Sequence, residues 1–459
     1  MSKVRTMEEM PLSKFHFKMF GYSAGSAFLD GYIIGIIAVA LSVLQSQFDL
    51  SLTMMGLIGM ATLAGMFFGG IIGGYLTDLT GRKKMFLIDM VVMLVAAILQ
   101  FFVNDPMQLV ILRFILGIAI GADYPIAGAL MAEFAPKKER GALLGGINAL
   151  WYVGYAGSFV AGYLMLGIGN SSWRWMLLSS AVPVLFLLVA RLNMPESPRW
   201  LANKGREKEA EAILQKTFGD NVIMSVEPET KVKTHFLEIF RNGNGKWIFF
   251  VSTFWSILVI TTFGIGTYIP EILAQFGFAN GTREYLGSAV INMIYLVGLL
   301  PFIYLVEKWG RRPTLVWPFL VSSIALVVLG ATSGLNMPFA FILVFFIIYG
   351  IFNTGMGTHQ WVYPNELFPT HIRGTAVGFT TGVSRITSSI GTFLFPSVLA
   401  KFGLETTLYI CAGLLFIGFI ISIFMAPETK NMCLAETSSI NNKSKKIKQD
   451  SFVPSKSVN

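Results

Sequence analysis

Three of the charged side chains inside long apolar runs, where charge is expensive, stand out. Asp30 lies in "FLDGYIIG", about a third of the way into the first run, Arg113 lies in the fourth, and Arg385 lies in "GVSRITSSIG", about a dozen residues into the eleventh. An ionisable group at membrane depth is paired or lines a water-filled cavity. Asp30 therefore either makes a structural hydrogen bond to a neighbouring helix or takes up and releases a coupling proton. Desolvation favours the protonated form of a carboxylate, and a nearby cation favours the charged form. Arg113 is the natural partner, unless it lies near enough to the surface to extend its guanidinium into water. Arg113, Gly117 and Gly121 recur every four residues, so they share one helix face, and the glycines let another helix approach closely. Arg385 is too deep to reach water easily. It can grip a carboxylate or phosphate through two parallel hydrogen bonds, or it can pair with an internal acid such as Asp30 or Glu271.

A second set could line a cavity: Tyr32, Asn148, Trp151, Tyr155, Asn292, Asn353, His359, Gln360 and Trp361. Trp and Tyr can stack on a flat ring and donate a hydrogen bond. About half of these are expected to touch a solute, the rest being packing. His359 either titrates near neutral pH or is a satisfied hydrogen-bond partner.

These residues need long apolar elements to carry them. The chain has 459 residues, 54% hydrophobic and 13% charged. Soluble proteins carry about 25% charged residues, so too little polar surface is present to cover so much apolar mass. A membrane-spanning helix needs about 20 apolar residues. Twelve such runs are present, at roughly 20–45, 54–77, 85–103, 107–132, 141–167 and 173–192, then 246–272, 285–306, 314–333, 337–363, 374–400 and 404–426. No cleavable signal peptide is evident. Cys411 and Cys433 form no disulfide framework.

The net charge of +9 comes from short basic clusters and a polar tail, not from a nucleic-acid-binding face. Arg82, Lys83, Lys84, Lys137, Lys138, Arg140, Lys308, Arg311, Arg312 and Arg373 all fall in alternate loops. The positive-inside rule puts those loops, both termini and the central loop in the cytoplasm. In that loop "GREKEAEAILQKTFG" (205–219) places Ala210, Ile213, Leu214 and Phe218 on one face of a short helix.

The chain also repeats itself. Glu133, Pro136, Arg140 and Gly141 return as Glu366, Pro369, Arg373 and Gly374, a constant shift of 233 residues. Asp78, Gly81 and Arg82 match Glu307, Gly310 and Arg311, and Pro195 and Glu196 match Pro427 and Glu428. Two six-helix halves follow, each marked at the same three points. The doubled charges Asp78, Arg82, Glu133, Arg140, Glu196, Glu307, Arg311, Glu366 and Arg373 suit a near-symmetric latch between the halves, with Asp78 near the positive end of the eleventh helix.

The D-x-x-G-R-[KR] motif after the second run resembles the signature of the major facilitator superfamily. Arg113-x-x-x-Gly117-x-x-x-Gly121, the doubled E-x-x-P-x-x-x-R-G, "PESPRW" and the final "PET" resemble its sugar-porter branch. The resemblance covers nearly the whole chain. It implies parallel six-helix halves related by an axis along the membrane normal. It also implies that Asp30 and Arg113 form the proton-coupling pair of that branch. The seventh run, "FWSILVITTFGIGTYIPEIL" (254–273), departs from the branch: it lacks the paired glutamines that grip sugar hydroxyls. "GADYP" (121–125) is similar to proton-coupled phosphate porters, and "FLDGY" (28–32) to importers of nicotinate and aromatic acids.

The expected fold is an all-α integral membrane protein of twelve transmembrane helices in two pseudo-symmetric halves. The expected organisation is a half over 1–192, a cytoplasmic linker over 193–245, a second half over 246–430 and a disordered tail over 431–459. The expected function is import of a small organic solute, carboxylated or aromatic, with a proton. A sugar, polyol or phosphate porter, a uniporter without proton coupling and a non-transporting nutrient sensor are the alternatives. The sequence carries no nucleotide-binding P-loop, hydrolytic triad signature or metal-ligand cluster, so no cofactor and no enzymatic chemistry is expected. The expected partners are the solute, a proton and the lipid bilayer, with no nucleic acid and no second subunit, in a bacterial inner membrane.

Overall fold

The computed structural model describes residues 5–6, 10–136, 140–219, 222–223, 239–241, 243–278, 282–335, 337–368 and 370–430. The tail expectation lies outside these residues. So do the side chains of Asp78, Glu133, Arg140, Asn292, Glu307 and Arg373.

The first half holds α1 (Lys14–Phe48), α2 (Leu52–Thr80), α3 (Arg82–Phe101), α4 (Pro106–Phe134), α5 (Arg140–Met165), α6 (Ser172–Ser179) and α7 (Ala181–Arg191). Two short helices follow, α8 (Pro198–Asn203) and α9 (Glu207–Phe218). The second half holds α10 (Asn244–Thr267), α11 (Ile269–Leu273), α12 (Thr282–Trp309), α13 (Arg311–Thr332), α14 (Phe339–Gly357), α15 (His359–Leu367) and α16 (Thr370–Met425). A parallel bridge pairs Arg5 with Val222 and Thr6 with Ile223.

Ten described stretches are long and apolar enough to cross a membrane. The last runs from Thr375 to Met425 and breaks at Gly403, whose φ of 79° is not helical, so it supplies two crossings. The apolar Met293–Val306 segment of α12 supplies another. The twelve expected spans are accounted for in this way. Val182, Phe186 and Phe424 point outward, as lipid-facing residues do.

The starts of α3 and α13 show the repeat in atomic detail. Gly81 and Gly310 precede them with φ of 101° and 102°, a region that favours glycine. The Glu196 carboxylate accepts from the backbone N–H of Arg82 at 3.0 Å and of Lys83 at 3.2 Å. The Glu428 carboxylate accepts from Arg311 at 3.0 Å and Arg312 at 3.1 Å. Each satisfies backbone donors that a helix start leaves unpaired. These helix starts mark the motif end of the bundle.

Close helix packing follows from small residues. A Cβ on Gly117 or Gly121 would lie 2.1 Å from the Thr62 carbonyl oxygen or 2.3 Å from that of Met66. The shared face therefore seats α4 against α2, as its spacing predicts. The helix expected over 205–219 is α9, which buries Ala210 and Leu214 and sets Phe218 against Phe15 at the base of α1.

Candidate functional site

The halves meet along two seams, α2 with α16 and α5 with α12. Between them lies a cavity. From the first half it takes Ser26, Ala27 and Asp30 on α1, Ala127 on α4, and Ile147, Asn148, Trp151 and Tyr152 on α5. From the second half it takes Leu258, Val259, Thr262 and Phe263 on α10, Gln360 and Trp361 on α15, and Arg385 on α16. About 60 Å³ of it is open to water, room for a few water molecules. A solute of monosaccharide size needs the walls to part.

Asp30 sits near the middle of α1 and is 1% exposed. Neither carboxylate oxygen has a hydrogen-bond partner among the described residues. Arg385, 8% exposed, lines the same cavity from the other half and acts on Asp30 electrostatically. Asp30 can stand here because Gly31 leaves no side chain beside it: a Cβ would lie 2.0 Å from the Trp151 carbonyl oxygen. α5 therefore packs directly on α1 and brings Trp151 to the cavity. Trp151 stacks on Tyr155 at 5.1 Å and 11° and meets Phe263 of the second half edge-on at 6.2 Å.

Arg113 is buried in α4, at 1% exposed, so it is not a surface side chain. Its Nη2 donates to the Ile33 carbonyl of α1 at 3.4 Å. The direct Asp30–Arg113 pair expected from the resemblance is not formed in this conformation. The guanidinium reaches the helix turn after Asp30 instead.

Asn148, Trp151, Gln360 and Trp361 line the cavity as expected. Four other candidates do not. Tyr32 turns toward α6, where its hydroxyl lies 2.7 Å from Ser179 Oγ. Tyr155 packs beneath Trp151. Asn353 stands one layer behind, donating to Thr262 Oγ1 at 2.8 Å and so orienting a lining hydroxyl. His359 is buried with its ring nitrogens 3.1 Å from Thr314 Oγ1 and 3.2 Å from Thr358 Oγ1, the satisfied partner rather than a cavity group. Helix rotation decides each case, and residue type alone does not report it.

Sequence reasoning missed Ser26, Tyr152 and Thr262 on the wall, and a buried charge cluster beside it. Arg191, the last residue of α7, turns inward and pairs with Asp123 of α4 at 3.3 Å, both fully buried. It also donates to the Tyr22 carbonyl and to Ser26 Oγ, and its guanidinium lies 3.6 Å from the Phe86 ring centroid. Asp123 falls within the quoted "GADYP". That signal was available.

The doubled charges whose contacts are described brace their own halves. Arg82 gives its backbone N–H to Glu196, and Arg311 pairs with Glu366 at 3.2 Å within the second half. Thr429 Oγ1 also donates to Glu366. Each of these contacts lies within one half.

The family model described as "Sugar (and other) transporter" matches residues 18–440. The inner membrane metabolite transport protein YgcS of Escherichia coli (strain K12) is 34% identical over 435 residues, covering 95% of this chain and 96% of that protein. The galactose-proton symporter of the same strain is 26% identical over 427 residues, covering 90% and 91%. Among solved structures, the partially occluded inward-open form of the xylose transporter XylE from E. coli superposes with a TM-score of 0.79 at 23% identity, covering 92% of this chain and all of that one. That likeness concerns the fold.

Proposed function

Since the chain belongs to the sugar-transporter family of the major facilitator superfamily, it is a multi-pass membrane transporter rather than an enzyme, and we propose that it imports a small organic solute together with a proton. The observation that carries this reading is Asp30. A buried carboxylate with no hydrogen-bonded partner among the described residues stands where the two halves meet. Such a group is stable there when neutral or when a cation faces it, so proton occupancy and the position of Arg385 are linked. A related protein named as a galactose-proton symporter supports the same coupling. In this reading the motif end faces the cytoplasm of a bacterial inner membrane, and a single chain suffices.

For the solute we favour a carboxylated, planar molecule. Arg385 offers a forked cation, and Trp151 and Trp361 offer flat apolar surfaces. A second reading, a sugar or polyol, is favoured by the neutral groups of Asn148, Thr262 and Gln360 on the same wall, which suit hydroxyls.

The test is uptake into proteoliposomes of nicotinate, benzoate, D-galactose, D-xylose, myo-inositol and phosphate, with and without a proton gradient. For the best of these, Asp30→Asn is expected to lose uphill accumulation and keep counterflow exchange, which needs alternating access but no net proton movement. Uphill uptake by Asp30→Asn equal to wild type, or wild-type accumulation indifferent to a protonophore, would refute proton coupling through Asp30.

A further inference from the structure

A second cavity opens at the motif end, apart from the one that holds Asp30 and Arg385. It lies between the first turns of α1, the start of α3, the turn after α7 and the last turns of α9. About 620 Å³ of it is open to water, within the range of small-molecule sites. Four of its lining residues are lysines, Lys14 and Lys18 of α1, Lys83 of α3 and Lys216 of α9, and none is acidic. They come from three elements remote in sequence, so the fold gathers them. Lys14 and Lys18 are one turn apart on one face of α1, a like-charge spacing that weakens a helix. None of the four makes an ion pair among the described residues. Glu196, which stands beside the cavity, turns its carboxylate to the backbone N–H groups of Arg82 and Lys83. Neither α1 nor α3 carries an acid in its first turn, so the positive ends of both helices add to the lysine charge. Tyr22, on the α1 wall, is 4% exposed, and its hydroxyl has no hydrogen-bond partner among the described residues.

We propose that this cavity binds a phosphate group, carried either by an anionic lipid headgroup or by a soluble phosphate compound. Ammonium groups on flexible stems are point charges that converge on a phosphate from several directions, with no need of the forked geometry of arginine. Asn193 and Thr217 add neutral donors on the same wall, and an anion beside Tyr22 offers the acceptor its hydroxyl lacks. The apolar part of the wall, Phe15, Met19 and Ile213, suits carbon attached to the phosphate better than it suits a bare ion. A basic pocket among helices at the cytoplasmic side of a membrane is the setting in which lipid phosphates are held. Every lining element belongs to the first half or to α9, so the site needs no closure of one half on the other, unlike the cavity around Asp30. A phosphate seated here neutralises lysines that otherwise repel one another, and so fastens α9 to α1 and α3. Access from the cytoplasm rests on the orientation proposed above, but the binding itself does not.

The experiment is thermal unfolding of the full chain in a nonionic detergent, washed until no lipid phosphorus remains, during titration with pyrophosphate or with a short-chain phosphatidylglycerol. Short-chain phosphatidylcholine, whose phosphate is offset by its own ammonium, and sodium chloride at matched ionic strength are the controls. A molecule that binds only the folded state raises the midpoint, and the rise saturates when detergent and salt effects are matched. At least one of the two anionic probes is expected to produce this rise, and neither control is. A rise with phosphatidylglycerol alone identifies a lipid headgroup, and a rise with pyrophosphate alone a soluble phosphate compound. A rise with both shows that the phosphate itself is what the cavity recognises. Lys18→Gln/Lys216→Gln is expected to need about ten-fold or more of the effective probe for the same rise. Lys84→Gln/Lys208→Gln, which removes the same charge from exposed positions outside the cavity, is expected to respond as wild type does. Lys18 and Lys216 are exposed as well, so neither double variant endangers the fold. No rise with either probe, an equal rise with chloride, an unaltered response in Lys18→Gln/Lys216→Gln, or an equal loss of response in Lys84→Gln/Lys208→Gln would overturn the proposal.

Discussion

Glu196 and Glu428, 232 residues apart, perform one task in two halves: each carboxylate closes the start of a helix by accepting backbone N–H groups from the residues after a left-handed glycine. The doubled motifs therefore preserve a local device. Burial acts to raise the pKa of the Glu428 carboxyl, but the backbone N–H groups of Arg311, Lys430, Arg312 and Thr429 outweigh it and hold the carboxyl below the usual glutamate range. A carboxyl with a depressed folded-state value contributes stability that is complete above its unfolded value and lost as pH falls through the folded one. We predict that Glu428→Gln lowers stability at neutral pH by about 1 kcal/mol, the scale of a lost helix cap. The difference from wild type should shrink on acidification past the glutamate range. Thermal unfolding of the purified protein across that range decides it. A constant gap at every pH would show that the charge of Glu428 is not what holds α13.

Gly31 and Gly21 provide a matched pair of substitutions on α1. Alanine normally improves a helix by about 1 kcal/mol relative to glycine, and at Gly21 nothing lies within 4 Å of an added Cβ. At Gly31 the Cβ would fall 2.0 Å from the Trp151 carbonyl oxygen, which is backbone and cannot swing aside. Gly31→Ala is expected to cost about 1–3 kcal/mol by overpacking and to reduce transport by moving Trp151 away from Asp30. Gly21→Ala should leave both unchanged or improved. Equal melting temperatures for the two variants would mean that α1 and α5 are not in the contact described.

The fold was legible because its signals are long and redundant. Twelve apolar runs and three matched motif pairs leave one architecture, and even the break at Gly403 lies in the expected gap between the last two runs. The cavity was legible only in part, because apolar character all round a helix conceals its rotation. Gln360 and His359 are adjacent, yet one lines the cavity and the other points into the Thr314 and Thr358 hydroxyls. Arg191 was passed over for a related reason. An arginine at the end of a span ordinarily extends into water, and the three buried carboxylates that draw it inward come from α1, α3 and α4, remote from it in sequence.

Tyr268 closes the end of the bundle opposite the motifs. Its ring stacks on Phe395 with centroids 5.3 Å apart and planes at 2°. Its hydroxyl lies 3.3 Å from the carbonyl oxygens of both Met55 on α2 and Thr392 on α16. One side chain thus joins the junction of α10 and α11 to the α2–α16 seam. In a variant whose cysteines are replaced by serine, Met55→Cys should react slowly with a charged maleimide. Adding Tyr268→Ala should speed the reaction several-fold. Labelling that stays slow would mean that backbone packing alone closes this end.

Arg385 separates the two solute readings. It is a forked cation on the cavity wall, and it faces the Asp30 side of the cavity from the other half. A carboxylate held by that fork in a partly dry site gains about 2–3 kcal/mol, so its loss weakens apparent affinity by about thirty- to a hundred-fold. Lysine keeps the charge but loses the paired geometry. If nicotinate or benzoate is the best solute in the uptake panel, Arg385→Lys is expected to retain weak transport and Arg385→Gln almost none, with the loss in KM. A hydroxylated solute would instead depend on Asn148, Thr262 and Gln360. Gln360→Ala would then raise its KM more than Arg385→Gln does. The comparison is informative whichever solute wins. Unaltered affinity for a neutral sugar in Arg385→Gln would reassign the arginine to electrostatic support of Asp30, and the same variant would then show its defect in the proton dependence of uptake rather than in solute affinity.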